Sequence, residues 1–215
     1  MTRSAGWIAT LALAMAVVAT ARADDAATSF TECFGKDSVR RIEGCTALIE
    51  SGGVGQYQLA DVYAMRALAH SLKGDYATAI KDYDVAIGMR PEFAVALNNR
   101  AWAYFRWGKA DIALPDVEKS LRLEPRAAHS LDTRAHIRQV KGDPKGALND
   151  YTKAMYFGGQ EMIKLYQCGL TEANLYDGKI DGIWRRELQD AMEKCVVSTT
   201  CDPLPADEHC RPATS

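Results

Sequence analysis

The sequence predicts an all-α protein whose middle is a solenoid of helical hairpins. Two observations predict it. Gly74, Gly108 and Gly142 fall 34 residues apart, and the segments they open, GDYATAIKDYDVAIGMRP, GKADIALPDVEKSLRLEP and GDPKGALNDYTKAMYFGG, align without gaps. A fixed period of this size marks units that bury their apolar faces only by stacking on neighbours. Each segment also follows an amphipathic stretch, so the unit reads as helix, turn, helix.

Taken in order, residues 1–23 have the layout of a secretory signal peptide. Arg3 is a positive start, Trp7 to Thr20 an apolar core, and Ala21-Arg22-Ala23 a small-residue cleavage site. That core is shorter than the roughly 20 residues a spanning helix needs, and no later stretch is apolar enough to span. The expectation is cleavage after Ala23, a periplasmic location and no membrane span in the mature chain. Cleavage removes Arg3 and Arg22 and no acid, taking the formal charge from −2 to −4. A mildly acidic chain without a basic run excludes nucleic acid as a natural partner.

Residues 24–59 read as a degenerate helical pair, SFTECFG followed by DSVRRIEGCTALIESG. Cys33 and Cys45 stand apart from the other cysteines and are expected to pair, pinning this end unit. Closing so short a loop contributes about 2–3 kcal/mol. Cys168, Cys195, Cys201 and Cys210 cluster near the C-terminus and can pair in three ways. An even count in an exported chain points to disulfides. Zinc fits poorly, because there is no C-x-x-C and His209 is the only nearby histidine. Neither metal nor cofactor is expected.

Residues 60–93, 94–127 and 128–161 are the three units. Their glycines end first helices in left-handed geometry. Asp75 and Asp143 are placed to cap second helices, and Pro144 suits a first turn. Small residues recur where helices come close, at Ala67, Ala101 and Ala135 and then at Ala79, Ala113 and Ala147. Bulky residues fill between them at Tyr63, Leu97, Leu131, Tyr83, Val117 and Tyr151. Pro91, Pro125 and Gly159 close the units. Pro115, inside a second helix, is a departure that should bend it. This pattern resembles the tetratricopeptide repeat from Ala60 to about Glu161, and the resemblance implies a right-handed solenoid.

The resemblance implies a concave side, lined by first helices, that binds a protein or peptide partner. By position it includes Asp61, Met65 and Leu68, then Asn98, Asn99, Trp102, Phe105 and Arg106, then His129, Asp132, Thr133 and His136. An Asn amide can both donate to and accept from a peptide backbone. Aromatic residues and Arg dominate interface energetics. Of the five-residue clamp that some members use for a partner's terminal carboxylate, only Asn99 matches. Ala64, Leu68, His129 and Thr133 do not, which speaks against such a ligand.

Residues 162–215 resemble the small three-helix peptidoglycan-binding-like domain of bacterial cell-wall enzymes. Gln167 and Leu170 lie on its first helix, Tyr176, Gly178, Asp181 and Gly182 in its turn, Trp184 after it, and Leu188, Ala191 and Cys195 on its last helix. Asn174 can end the first helix in left-handed geometry. The resemblance implies glycan contacts at Tyr176, Asp181, Trp184 and Arg185. Arg185-Arg186-Glu187-Leu188 stands where the family has Gly-Pro-x-Thr, which leaves glycan binding open. The alternative is a decayed fourth repeat that caps the solenoid.

No hydrolase, zincin or phosphate-loop motif is present. The expected function is therefore a non-enzymatic periplasmic interaction scaffold, with peptidoglycan a further partner. The rivals are an accessory subunit of a peptidoglycan-processing enzyme, or a solenoid whose tail is only a cap.

Overall fold

The structure, a computed structural model, describes residues 25–198 and 200–204. The expected signal peptide, His209 and Cys210 lie outside the described residues. Among the described residues there are helices and no strands: α1 (described over 25–33), α2 (Ser38–Ser51), α3 (Gln56–Leu72), α4 (Tyr76–Met89), α5 (Ala94–Arg106), α6 (Ala110–Leu123), α7 (Ala128–Val140), α8 (Pro144–Glu172) and α9 (Arg186–Val196). They fall into two compact units, divided after Pro91.

In the first unit, Asp37 caps α2 by accepting the Val39 and Arg40 N–H groups at 2.9 Å each. The Cys33–Cys45 disulfide joins α1 to α2, as expected, and both sulfurs sit in a core with Leu48 and Val62. Gly44 lets the two backbones touch. A Cβ there would lie 2.5 Å from the Ser29 carbonyl oxygen and 2.7 Å from the Cys33 nitrogen. Helix α3 then packs on both α2 and α4. Tyr63, expected to be filler, is half-buried with the Arg66 guanidinium 5.4 Å over its ring.

The three repeat glycines end α3, α5 and α7 at φ of 80°, 75° and 78°. Side chains on Cβ disfavour that region, so the period of the sequence is a period of left-handed turns. Asp75 and Asp143 cap α4 and α8 through the Thr78 and Gly146 N–H groups. In the second unit α5 packs on α6, α6 on α7 and α7 on α8. Their shared core holds Ala101, Val117, Leu131 and Tyr151. Helix α6 continues through Pro115.

The end of the chain departs from expectation. Helix α8 is two helices joined at Gly159, whose φ of 61° and ψ of −150° are not helical. The part after the break sends Met162, Ile163, Tyr166 and Leu170 into the core of the repeats. Helix α9 adds Leu188, Ala191, Met192 and Val196 to that same core. Among the described residues this region has two helical stretches after Gly159 where three were expected. Among the described residues these apolar side chains join the core of the repeats. Asn174 adopts the expected left-handed turn, with φ of 57°.

Candidate functional site

Each hairpin is fixed by one repeated ion pair. Arg66–Asp82, Arg100–Asp116 and Arg134–Asp150 are all 16 residues apart, and each guanidinium grips its carboxylate through two bonds of 2.6 to 2.8 Å. Paired N–H donors on a planar fork set distance and angle together. Asp150 is wholly buried and takes a further 2.7 Å bond from Arg138. Sequence reasoning missed these pairs, although both partners recur with the 34-residue period.

The predicted partner face divides between α5 and α7. On α5, Asn98 is buried and donates to the Asn99 side chain at 3.3 Å. Its own Oδ1 has no hydrogen-bond partner among the described residues. Asn99, Trp102 and Phe105 are half-buried and Arg106 is exposed. The Trp102 and Phe105 rings lie 5.3 Å apart, with the Arg106 guanidinium 5.5 Å over Trp102. On α7, His129 is exposed, whereas Asp132, Thr133 and His136 are buried. His136 stands edge-on to Trp102 at 5.3 Å and to Tyr151 at 5.2 Å, and Tyr166 follows Tyr151 at 5.6 Å.

The chain beyond α9 covers the α7 side. Gln139 Nε2 donates toward the carbonyls of Ser198, Cys201 and Cys195 at 2.7, 2.8 and 3.2 Å, while its Oε1 accepts from the Tyr151 hydroxyl at 3.0 Å. A disulfide between Cys195 and Cys201 returns the tail toward α7. Pro203 is buried and Leu204 packs against the core. The Asp202 carboxylate then meets His136 Nε2 at 2.9 Å. Neither Gln139 nor Asp202 was singled out from sequence, since 66 residues separate Asp202 from His136.

His136 is held as an imidazolium by geometry. Its Nδ1 faces the Asp132 carbonyl at 2.9 Å and its Nε2 faces a carboxylate. Both groups only accept, so both ring nitrogens must donate. Burial opposes the charge, but the Asp132 and Asp202 carboxylates outweigh it and raise the ring to about 9. Burial pushes the Asp132 carboxyl up, against the His136 charge and a 2.6 Å bond from the Tyr166 hydroxyl. For Asp202 burial also pushes upward, but the His136 bond and charge prevail and hold it below its ordinary value. Burial, reinforced by Asp132, lifts the Tyr151 and Tyr166 hydroxyls well above the usual tyrosine range.

The residues expected to contact glycan are mostly engaged in their own turn. Wholly buried Gln167 accepts the Asp181 and Gly182 N–H groups at 3.0 and 2.8 Å and donates to the Ile183 carbonyl at 3.1 Å. Arg185 grips Asp181 through bonds of 2.9 and 2.7 Å, which holds that carboxyl far below the usual range. Tyr176 is buried and its hydroxyl donates to the Lys179 carbonyl at 3.2 Å. Trp184 stays 50% exposed, and Ile180 and Ile183 of the same turn are exposed as well. Cys168 is disulfide-bonded as well. Among the described residues no group of three or more His, Cys, Asp or Glu could hold a metal ion, and no helix is long and apolar enough to cross a membrane.

Residues 60–93 match the family description of the tetratricopeptide repeat. The chain is 32% identical over 121 residues to the Hsp70-Hsp90 organizing protein of Triticum aestivum, covering 56% of this chain and 17% of that one. It is 34% identical over 77 residues to serine/threonine-protein phosphatase 5 of Homo sapiens, covering 36% and 15% of the two chains. With tetratricopeptide repeat protein 36 of Bos taurus it shares 29% identity over 107 residues, covering 48% and 57%. The chain thus spans under a fifth of the wheat and human relatives and just over half of the bovine one. The described residues thus form helical hairpins with a 34-residue period, and the stretch 60–93 is similar to the tetratricopeptide repeat. Repeats of this kind serve protein–protein interaction, and the phosphatase likeness covers only a portion of that enzyme.

Proposed function

We infer that this chain is a non-enzymatic periplasmic scaffold that captures a protein partner as an extended segment along α5. One observation carries the reading: Trp102 and Phe105 are half-buried, close together, and flanked by exposed Arg106. A rigid aromatic pair beside a guanidinium is the residue set that dominates protein interfaces. The signal-peptide pattern and the disulfides fit an oxidising compartment outside the cytosol. Affinity capture from envelope extract tests the reading. The double variant Asn99→Ala/Trp102→Ala should lose the bound partner by about tenfold or more, and full retention would refute the groove.

A second reading, contact with the cell wall, is favoured by Ile180, Ile183 and Trp184, which stand half-exposed on the turn locked by Gln167. Co-sedimentation with isolated sacculi, lost in Trp184→Ala, supports it. Absence of co-sedimentation leaves the tail as a cap on the repeats. Hydrolysis of peptidoglycan by the purified chain would overturn the non-enzymatic reading and favour a wall-processing role.

A further inference from the structure

The tail from Thr200 to Leu204 makes the contacts that an extended ligand would make. It has no regular secondary structure, its Cys201 carbonyl accepts from the Gln139 amide, its proline is buried, and its carboxylate sits on a buried cation. Backbone satisfaction plus one charged anchor is how a groove holds a peptide strand. The fit leaves space. A cavity of about 110 Å³ remains between the tail and the helices, bordered by Phe105, His136, Gln139, Thr200, Cys201 and Asp202. The Asp202 side chain is itself 52% exposed, so solvent and solutes reach the ion pair.

We propose that residues 202–204 are an intramolecular stand-in for a partner's acidic extended segment, whose carboxylate takes the place of Asp202 on His136 while Cys201, tied to Cys195, keeps its carbonyl on Gln139. The inference rests on the groove reading above and extends it from α5 to α7. Charge complementarity selects the occupant. The surface beneath the tail offers an imidazolium and a primary amide as donors, with Arg106 close enough to act on Asp202. A basic group would be repelled there by the His136 imidazolium, whose two ring nitrogens already face acceptors. An aspartate followed by proline is the sequence the face already holds, at Asp202-Pro203. Pro203 fixes its own φ and so reduces the entropy lost on docking.

The tail and an incoming segment compete, so the apparent affinity is the intrinsic one scaled by the fraction of molecules with the tail displaced. Freeing the tail raises affinity without altering the surface. The test uses the full chain and a fluorescent, blocked peptide Asp-Pro-Leu, which copies residues 202–204. Asp202→Ala should bind this probe about tenfold more tightly than the unmodified chain, as expected where the tail covers its face nine-tenths of the time. Asp202→Asn, which keeps an acceptor but no charge, should fall between. The control peptide with Asn for Asp should bind Asp202→Ala about tenfold more weakly than the probe. Equal binding of probe and control, or no gain in Asp202→Ala with helicity unchanged, overturns the proposal. The groove reading is judged separately. If the partner captured through Trp102 is unaffected by Asp202→Ala, the α5 groove stands and the competition falls.

Discussion

The second and third repeats place different side chains at equivalent positions. Asn98, Trp102 and Phe105 of α5 correspond, 34 residues on, to Asp132, His136 and Gln139 of α7. Trp102 and Phe105 are half-buried, and their attraction for a ligand is area and cation–π contact. His136 and Gln139 are buried under the tail, and what they offer is N–H donors. The difference follows from what covers them. An irregular strand presents carbonyls and a carboxylate, and buried acceptors left without donors cost about 1–3 kcal/mol each. A covered face must therefore be polar, whereas a face left to solvent or to a partner can be aromatic.

The staples of the two repeats differ in the same direction, which gives the largest expected effect. Asp150 is wholly buried between Arg134 and Arg138, whereas the Asp116 side chain keeps 14% of its surface. Replacing both Arg134 and Arg138 with Ala strands a buried carboxylate and should cost about 3–5 kcal/mol in urea unfolding. Arg100→Ala should cost about 1.5–3 kcal/mol. Equal losses would mean that the third repeat is no more tightly closed than the second.

A smaller effect separates the tail from the repeats. Replacing both Cys195 and Cys201 with Ala removes a short closed loop and should cost about 2 kcal/mol. The loss should come with increased hydrogen exchange along α7 and little change along α5. Matching increases on both helices would show that the tail does not cover α7 selectively.

Much of this was legible in the sequence because period and turn chemistry are local. Gly74, Gly108 and Gly142 announce left-handed turns, and Asp75 and Asp143 announce caps, whatever the distant chain does. The Cys33–Cys45 pair was legible for the same reason. The staples were hidden in plain view: Arg and Asp at fixed spacing read as solvated charges until two helices are laid side by side. The tail was not legible. Its role depends on a reversal through Cys201 and on where α9 packs, neither of which periodicity encodes. The same gap explains the C-terminal region, where Tyr176, Gly178 and Asp181-Gly182 mark a turn without saying whose core the flanking helices join. His136 is legible as a groove residue, but its partner Asp202 lies 66 residues away, so the charge state of the ring is not.

The central claim is that the tail carboxylate sits on a charged ring in α7, and the direct measurement is the pH titration of the His136 ring nitrogens by NMR. Around the ring stand Arg106 from α5, His129 and Asp132 from α7, Tyr151 and Tyr166 from α8, and Asp202 from the tail. The folded value of about 9 lies above the ordinary 6.5. The stability it contributes is therefore fully present below about 6.5 and is lost as pH rises through about 9. Both nitrogens should be protonated at neutral pH and lose one proton near 9, and Asp202→Ala should move that step downward. A ring that is singly protonated at neutral pH, or a step that Asp202→Ala leaves in place, would contradict the account.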